Sequence, residues 1–294
     1  MIVFGFADGI FTRVRREGLA KALFFVVARF QLVRSVGDAW AGLGASPSCK
    51  GARHARGKAL RASAFRGFDA GIVVSAVEKH SWFPGFNLPL ELVQEITEAT
   101  KGARLTNPLH PDITFTENDK CSAEARLGRR IVFGEYSELA ASNGSVVAIC
   151  NDPLLRLIAT RYLRREPRNV VPRVLMSFVD RMSAEDRLRQ KQTVLFHYDL
   201  DGLRTLYFNF YLTDTDENSG AHVLVEGTHG RKRLRHLLGT TNISDDDIAK
   251  FYPGRRVVTV RGRKGFGFVE DPYCFHKALP PRTVPRLLLQ IRCW

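Results

Sequence analysis

The residues best equipped for chemistry are His197, Asp199 and His276. His197-Tyr198-Asp199 is a His-x-Asp pair set in an apolar run. In a β-strand, residues i and i+2 point to the same face, so this imidazole and this carboxylate project together. His276, inside GFGFVEDPYCFHKAL, offers a second imidazole. Two imidazoles and one carboxylate make the facial triad that holds Fe(II) and leaves the opposite positions open for cosubstrate, oxygen or water. Taken alone, a His-x-Asp pair also reads as a surface histidine beside a turn aspartate. Its sequence context favours the ligand reading. A strand pattern, TLYFNFYL, comes next, then an acidic, glycine-containing turn, TDTDENSG, and a second strand, AHVLVEGTHG. After a further strand pair come His276 and, ten residues on, Arg286 at the head of RLLLQIRCW.

This series resembles the phytanoyl-CoA dioxygenase-like branch of the Fe(II)/2-oxoglutarate oxygenases. YLTDTDENSGAHVLVEGTH is similar to that family's strand, acidic turn and glycine-serine-histidine segment. DPYCFHKALPPRTVPRLLLQIRCW is similar to its distal-histidine and arginine end, and NDPLLRLIATRYLRREP to a helix upstream of the motif. The resemblance covers roughly Phe83 to Trp294. Two positions depart from it: Glu226-Gly227-Thr228-His229 stands where Pro-Gly-Ser-His is usual, and Ala278 where glycine is common. Neither touches the ligand set. The resemblance implies Fe(II) on His197, Asp199 and His276, with 2-oxoglutarate as cosubstrate. It places Arg286 on the far carboxylate of that cosubstrate, a task suited to a planar guanidinium. Arg282, in the Pro-Pro-Arg-Thr-Val-Pro turn, ranks second. Asn209 is a candidate for a further polar contact to the cosubstrate, or else an amide that bonds a neighbouring strand. The implied reaction is oxidative decarboxylation of 2-oxoglutarate to succinate, coupled to hydroxylation or desaturation of an unactivated C–H bond. Halide-transferring relatives carry glycine or alanine in place of the carboxylate ligand, so Asp199 implies oxygen transfer or desaturation.

The whole chain has 294 residues, 45% of them apolar and 25% charged, enough for a sizeable core. No stretch approaches the ~18 consecutive apolar residues of a membrane span. The best apolar segment, Ala22 to Ala28, has no cleavage pattern behind it, and no signal peptide is expected. Cys49, Cys121, Cys150, Cys274 and Cys293 are odd in number and form no Cys-x-x-Cys. That favours a reducing compartment over a disulfide framework. A cytoplasmic location is expected, with organelle targeting through the basic N-terminus as the alternative. The net charge is +14, and residues 1–70 carry twelve Lys and Arg against four acids, or +8 of it. This leaves two rival functions open: a cupin-type metalloenzyme that does not use 2-oxoglutarate, and a basic protein that binds nucleic acid or anionic lipid. The aromatic residues near the basic run of the linker, Phe65 and Phe68, are too few for a stacking platform for nucleic acid. A small-molecule substrate, oxidised with O2, is the favoured partner, and the positive charge leans toward an anionic one.

Residues 1–70 read as a basic N-terminal helix, Thr12 to Val33, and a linker, Gly42 to Gly67. Residues 71–294 read as one catalytic domain, with mostly helical support over 71–190 and the metal-bearing core over 191–294. Helices are expected in Phe83–Lys101, Asn151–Arg165 and Ser244–Tyr252, and Gly102–Gly128 reads as a turn-rich loop. Strands are expected at Val174–Val179, Thr193–Phe196, Thr205–Leu212, Ala221–Val225, Phe275–Leu279 and Arg286–Trp294. Val257–Val260 and Phe266–Val269 flank Gly262-Arg263-Lys264-Gly265 as a hairpin. Short, closely spaced strands point to a mainly β fold with flanking helices and a double-stranded β-helix (jelly roll, cupin-like) core. His54, His80, His110 and His236 lie in polar surroundings and read as solvent-facing. The run Arg231 to His236 reads as a solvated face or a contact for an anionic substrate tail.

Overall fold

The computed structural model describes residues 23, 26–30, 33–34, 62–189, 195–239 and 241–294. Most of the expected N-terminal helix and linker, with Cys49, His54, Thr193 and Val194, lies outside the described residues. In chain order the elements begin with α1 (Ala70–His80), β1 (Trp82–Pro84), α2 (Leu90–Thr100), β2 (Leu105–Asn107), β3 (His110–Phe115), α3 (Lys120–Leu127) and β4 (Phe133–Glu135). Next come α4 (Ser137–Ser142), α5 (Gly144–Cys150), α6 (Pro153–Leu163), β5 (Val170–Ser177) and α7 (Ala184–Arg189). The last part holds β6 (Leu206–Tyr211), β7 (His222–Val225), α8 (Leu234–Leu238), α9 (Asp245–Phe251), β8 (Val257–Val260), β9 (Gly267–Glu270), β10 (His276–Ala278) and β11 (Arg286–Cys293).

The strands form two antiparallel sheets. The larger has the order β1-β9-β6-β11-β5-β4-β2-β3, and the smaller β10-β7-β8. They meet through Tyr211, Phe268 and Leu288 on one side and Leu224, Val258 and Val260 on the other. The opposite face of the large sheet packs on the helices: Leu287, Leu289 and Ile291 share an apolar cluster with Val73, Ile96, Leu155 and Ile158. Alternation along β11 therefore sends odd residues to the helices and even ones between the sheets, as a period of two requires.

Several expectations are corrected by this topology. β8 and β9 are not a hairpin: β8 pairs with β7 in the small sheet and β9 with β6 and β1 in the large one. Their connection crosses between sheets and is pinned where Thr215 and Gly262 exchange backbone hydrogen bonds of 2.8 and 3.0 Å. The loop expected over Gly102–Gly128 contains β2, β3 and α3. Pro111 is tolerated because β3 lies at the edge of the sheet. Residues 71–190 hold the seven helices α1 to α7, most of the helical layer, and also supply five strands of the large sheet, β1 to β5. β5 pairs with β11 over its whole length, from Arg286↔Ser177 to Cys293↔Val170. The end of the expected linker is core as well. Phe65 is fully buried and stacks on Phe86 and Phe210 at 4.3 and 5.6 Å.

Asp152 ties these layers together. Its Oδ1 accepts from the backbone N–H groups of Leu154 and Leu155 at the start of α6, and from Ser63 Oγ at 2.8 Å. Its Oδ2 accepts from the Ala64 amide at 2.8 Å. One buried carboxylate thus caps a helix and anchors the segment that enters the core. Asp152→Ala is expected to lower stability by about 2 kcal/mol or more, beyond an ordinary cap, because buried donors lose their acceptor. The urea midpoint measured at neutral pH checks it.

Candidate metal and cosubstrate site

His197 and His276 meet through the backbone. The His197 amide donates to the His276 carbonyl at 2.9 Å, and the His276 amide donates back to His197 at 2.8 Å. This is the hydrogen-bonded pair of an antiparallel ladder, which sets the two side chains on one face. Their rings lie 4.4 Å apart between centroids. Asp199, two residues on, shares that face, and its amide is held by the Pro272 carbonyl at 2.9 Å. Its carboxylate oxygens sit 3.8 Å from His197 Nε2 and 3.8 Å from His276 Nε2. One ligand atom from each residue falls within 4.8 Å of the others, and among the described residues this is the group of at least three such side chains able to hold a metal ion.

The donor set is prepared for a cation. His197 Nδ1 lies 3.3 Å from the Leu195 carbonyl, and His276 Nδ1 lies 3.0 Å from the Cys274 carbonyl. A carbonyl only accepts, so each Nδ1 carries the proton and each Nε2 presents its lone pair. Burial, reinforced by His197, pushes the pKa of His276 down to about 4, so the ring is neutral at physiological pH. Burial acts to raise the pKa of Asp199. The imidazoles of His276 and His197, the Arg292 guanidinium and a hydrogen bond from Tyr207 outweigh it and hold the group at about 2. Two imidazole Nε2 atoms and one anionic carboxylate oxygen fit an Fe(II) ion.

The triad opens on a cavity of about 210 Å³ between the sheets. Val132, Phe133, Leu175 and Leu288 give it apolar walls, and Arg286 lines it together with all three triad residues. This is less than the ~300–1,000 Å³ of a typical ligand pocket, and suits a small acid. It adjoins a cavity of about 790 Å³, with which it shares Arg187, Ala278, Leu279 and Pro280. Arg282 lines that larger space and not the smaller one.

Arg286 is buried. Its guanidinium donates to the Gly220 carbonyl and to Ser177 Oγ, the latter at 3.2 Å, while Nε has no partner. Among the described residues no carboxylate pairs with it. Burial lowers its pKa, the mark of a cation without a counter-ion. β11 does not lie beside the strand of His276. It sits in the other sheet, between β6 and β5, and Arg286 reaches the shared cavity from across the sandwich.

Asn209 follows the second of its two readings, an amide bonded to neighbouring strands. It is not part of the cavity lining. Its Nδ2 donates to Glu270 at 2.9 Å, and its Oδ1 accepts from Gln290 at 2.8 Å, which uses both ends of the amide. The residues it links were not legible as site residues. Glu270, fully buried, holds His222 Nε2 at 2.8 Å. Gln290 Oε1 accepts from Arg292 Nε at 2.6 Å, and Arg292 reaches Asp201 at 3.2 Å. Tyr207 bonds both Asp201 and Asp199. His222, Gln290 and Arg292 all line the cavity. The alternation Arg286-x-Leu288-x-Gln290-x-Arg292 was a usable signal for two of them. His222 and Glu270 gave none, because they meet only through the fold. His236, read as solvent-facing, is buried with Nδ1 2.8 Å from the Tyr252 hydroxyl.

No protein-family model matches the chain, and no curated protein sequence does. Solved structures do. The chain is similar to SnoK, a non-heme α-ketoglutarate-dependent carbocyclase from nogalamycin biosynthesis, at 16% identity and a TM-score of 0.53, over 79% of this chain and 85% of that one. It is similar to EctD from S. alaskensis with bound Fe, at 14% and 0.52, over 77% and 76%. HygX from Streptomyces hygroscopicus with nickel, 2-oxoglutarate and hygromycin B bound is similar at 13% and 0.51, over 76% and 86%. The chain has the double-stranded β-helix fold of these enzymes. At such identities the likeness is one of fold. No helix among the described residues is long and apolar enough to cross a membrane.

The double-stranded β-helix keeps His276 uncharged, and this has a cost in acid. In the unfolded chain the ring titrates near 6.5, and in the folded metal-free protein near 4. Between those values the unfolded state binds a proton that the folded state refuses, so stability falls as pH falls, by up to roughly 1.4 kcal/mol per unit. His276→Gln is expected to flatten the profile over this window. Urea midpoints in the presence of chelator at pH 7 and pH 4.5, compared between the two proteins, check it.

Proposed function

We propose that this chain is an Fe(II)/2-oxoglutarate-dependent dioxygenase that hydroxylates or desaturates an unactivated C–H bond of a small organic substrate. The observation that carries the reading is one cavity lined by both a two-histidine, one-carboxylate set and a buried arginine lacking a carboxylate. The triad alone fits many metal enzymes. Arg286 adds the need for an acid, since a buried charge is costly until it is paired. A cupin-type enzyme without 2-oxoglutarate would have no use for that second clamp.

In this reading His197, Asp199 and His276 hold the metal through Nε2, a carboxylate oxygen and Nε2. The bound iron supplies the chemistry by which O2 is reduced as 2-oxoglutarate loses carbon dioxide and becomes succinate. Arg286 receives the far carboxylate of 2-oxoglutarate, with Gly220 and Ser177 fixing the guanidinium so that little rotamer entropy is lost on binding. Val132, Phe133, Leu175 and Leu288 exclude water from the reacting end. The adjoining cavity, bounded by Leu279 and Pro280 and by Arg187 and Arg282, takes the second substrate. A small organic molecule fits that volume, and Arg282 favours an anionic one, while Arg187 is paired with Asp180 in the cavity wall.

Two outcomes test the assignment. His197→Ala and His276→Ala should each lose Fe(II) in anaerobic equilibrium dialysis, and retention in both would place the metal elsewhere. Arg286→Ala should keep the iron but bind 2-oxoglutarate more weakly by roughly 3–5 kcal/mol, the usual cost of breaking a buried charged pair. Arg286→Lys should recover part of this, because an ammonium cannot make the two-point contact. The absorption band that appears when 2-oxoglutarate chelates Fe(II) without oxygen reports the midpoint. An unchanged midpoint in Arg286→Ala would sink the cosubstrate role.

A further inference from the structure

A second cavity, of about 600 Å³, shares no lining residue with the metal site. Six cations line it: Arg34, Lys79, Arg164, Arg204, Arg231 and Arg255. The acids in its wall are Glu78 and Asp271. Asp271 is already engaged, accepting from the Tyr162 hydroxyl at 2.5 Å and the Tyr273 amide at 2.9 Å and facing Arg34 at 3.5 Å. Glu78 faces Arg204 at 3.9 Å. Neither reaches Arg164, Arg231 or Arg255. Among the described residues the guanidinium groups of those three have no carboxylate partner and no hydrogen-bond acceptor.

The floor of the cavity is built and its rim is open. Arg34 donates to the Leu203 carbonyl at 2.8 Å and lies over the Tyr273 ring at 3.8 Å, so its guanidinium is held in one orientation. Arg204 donates to the Tyr162 carbonyl at 2.5 Å and lies over the Tyr162 ring at 5.1 Å. Arg164, Arg231 and Arg255 are exposed. Gly227, at φ +67°, leaves the room that Arg255 uses: a Cβ there would stand 2.6 Å from Arg255 Nη1. Like charges gathered in a concavity repel one another and focus the field on whatever anion enters. Guanidinium forks match the oxygens of phosphate or sulfate two at a time. Among the described residues no Phe, Tyr or Trp face is free to line the space, since Tyr162 is buried beneath Arg204, which leaves a base no broad ring to stack on.

We propose that this cavity is a second binding site, for a small polyanion carrying two or more phosphate or sulfate groups. The assignment is independent of the chemistry at the metal site. Pyrophosphate is the probe, titrated calorimetrically into the full chain at constant ionic strength. One ion per chain is expected, bound in preference to chloride. The exposed pair Arg231→Ser/Arg255→Ser should weaken it roughly tenfold or more, as loss of charge-assisted hydrogen bonds does. Arg263→Ser/Lys264→Ser removes the same charge outside the cavity and should leave the affinity within about twofold, in line with the small effect of distant screened charges. Absence of binding, or no preference over chloride, overturns the proposal. So does equal weakening in both double variants, which would mean attraction to net charge alone. A single-stranded oligonucleotide that binds the cavity more tightly than pyrophosphate also overturns it, in favour of a nucleic-acid groove.

Discussion

Two peptide hydrogen bonds between His197 and His276 are the constraint on which the site depends. They join segments far apart in the chain, and neither segment alone defines the geometry of a metal site. Because each residue both donates to and accepts from the other, the strands cannot slip by one position without sending a histidine to the opposite face. Asp199 follows two residues on, outside any strand, with its amide bonded to the Pro272 carbonyl. Backbone geometry, and not the flexibility of three side chains, therefore sets the distances between the ligand atoms. The carbonyls of Leu195 and Cys274 then fix the ring tautomers.

The large sheet performs the complementary task. Its inner face carries an unbroken set of polar contacts from His222 through Glu270, Asn209, Gln290 and Arg292 to Asp201 and Tyr207. A polar layer this deep is stable only when its members are satisfied, and each link found here supplies a partner to the next. Arg286, on the same face of the same strand, has no such acid. The contrast singles it out: the sheet neutralises Arg292 internally and gives Arg286 no acid among the described residues, which is what the proposed cosubstrate role needs. Ser177 and Gly220 hold its fork without cancelling its charge.

The positive charge of the chain is also organised by the fold. Arg29 donates to the carbonyls of Leu237 and Gly239, and Arg34 is locked against Tyr273, so part of the basic N-terminal segment is bonded to the body of the protein. The run from Arg231 to His236, uniform in sequence, is divided in three dimensions. Arg231 faces the second cavity, Lys232 lies among the rings of Tyr198, Tyr273 and Phe275, and His236 is buried against Tyr252. A charge run that reads as one solvated face thus holds three environments.

What was legible in the sequence was local. The i, i+2 spacing of His197 and Asp199, the cap and apolar stripe of the helix at Pro153–Leu163, and the alternation of Arg286 through Gln290 all derive from repeats of two or 3.6 residues, which short stretches of sequence carry in full. His276 and Arg286 were singled out as candidates by the order of motifs, and the jelly roll by strand length and spacing. The partners of each strand were not legible. Val257–Val260 and Phe266–Val269 look like a hairpin because a glycine turn lies between them, yet they belong to different sheets. Gly102–Gly128 looks like a loop because its strands are short and one holds a proline. Asn209 reads equally as a cosubstrate contact or a strand-bonding amide until Glu270 and Gln290 occupy both ends of its amide. In each case the deciding contact joins residues distant in the chain. Local propensity does not encode such contacts; the packing of two sheets and a helical layer around a common core creates them, and with them the burial that leaves Arg286 charged and without a carboxylate.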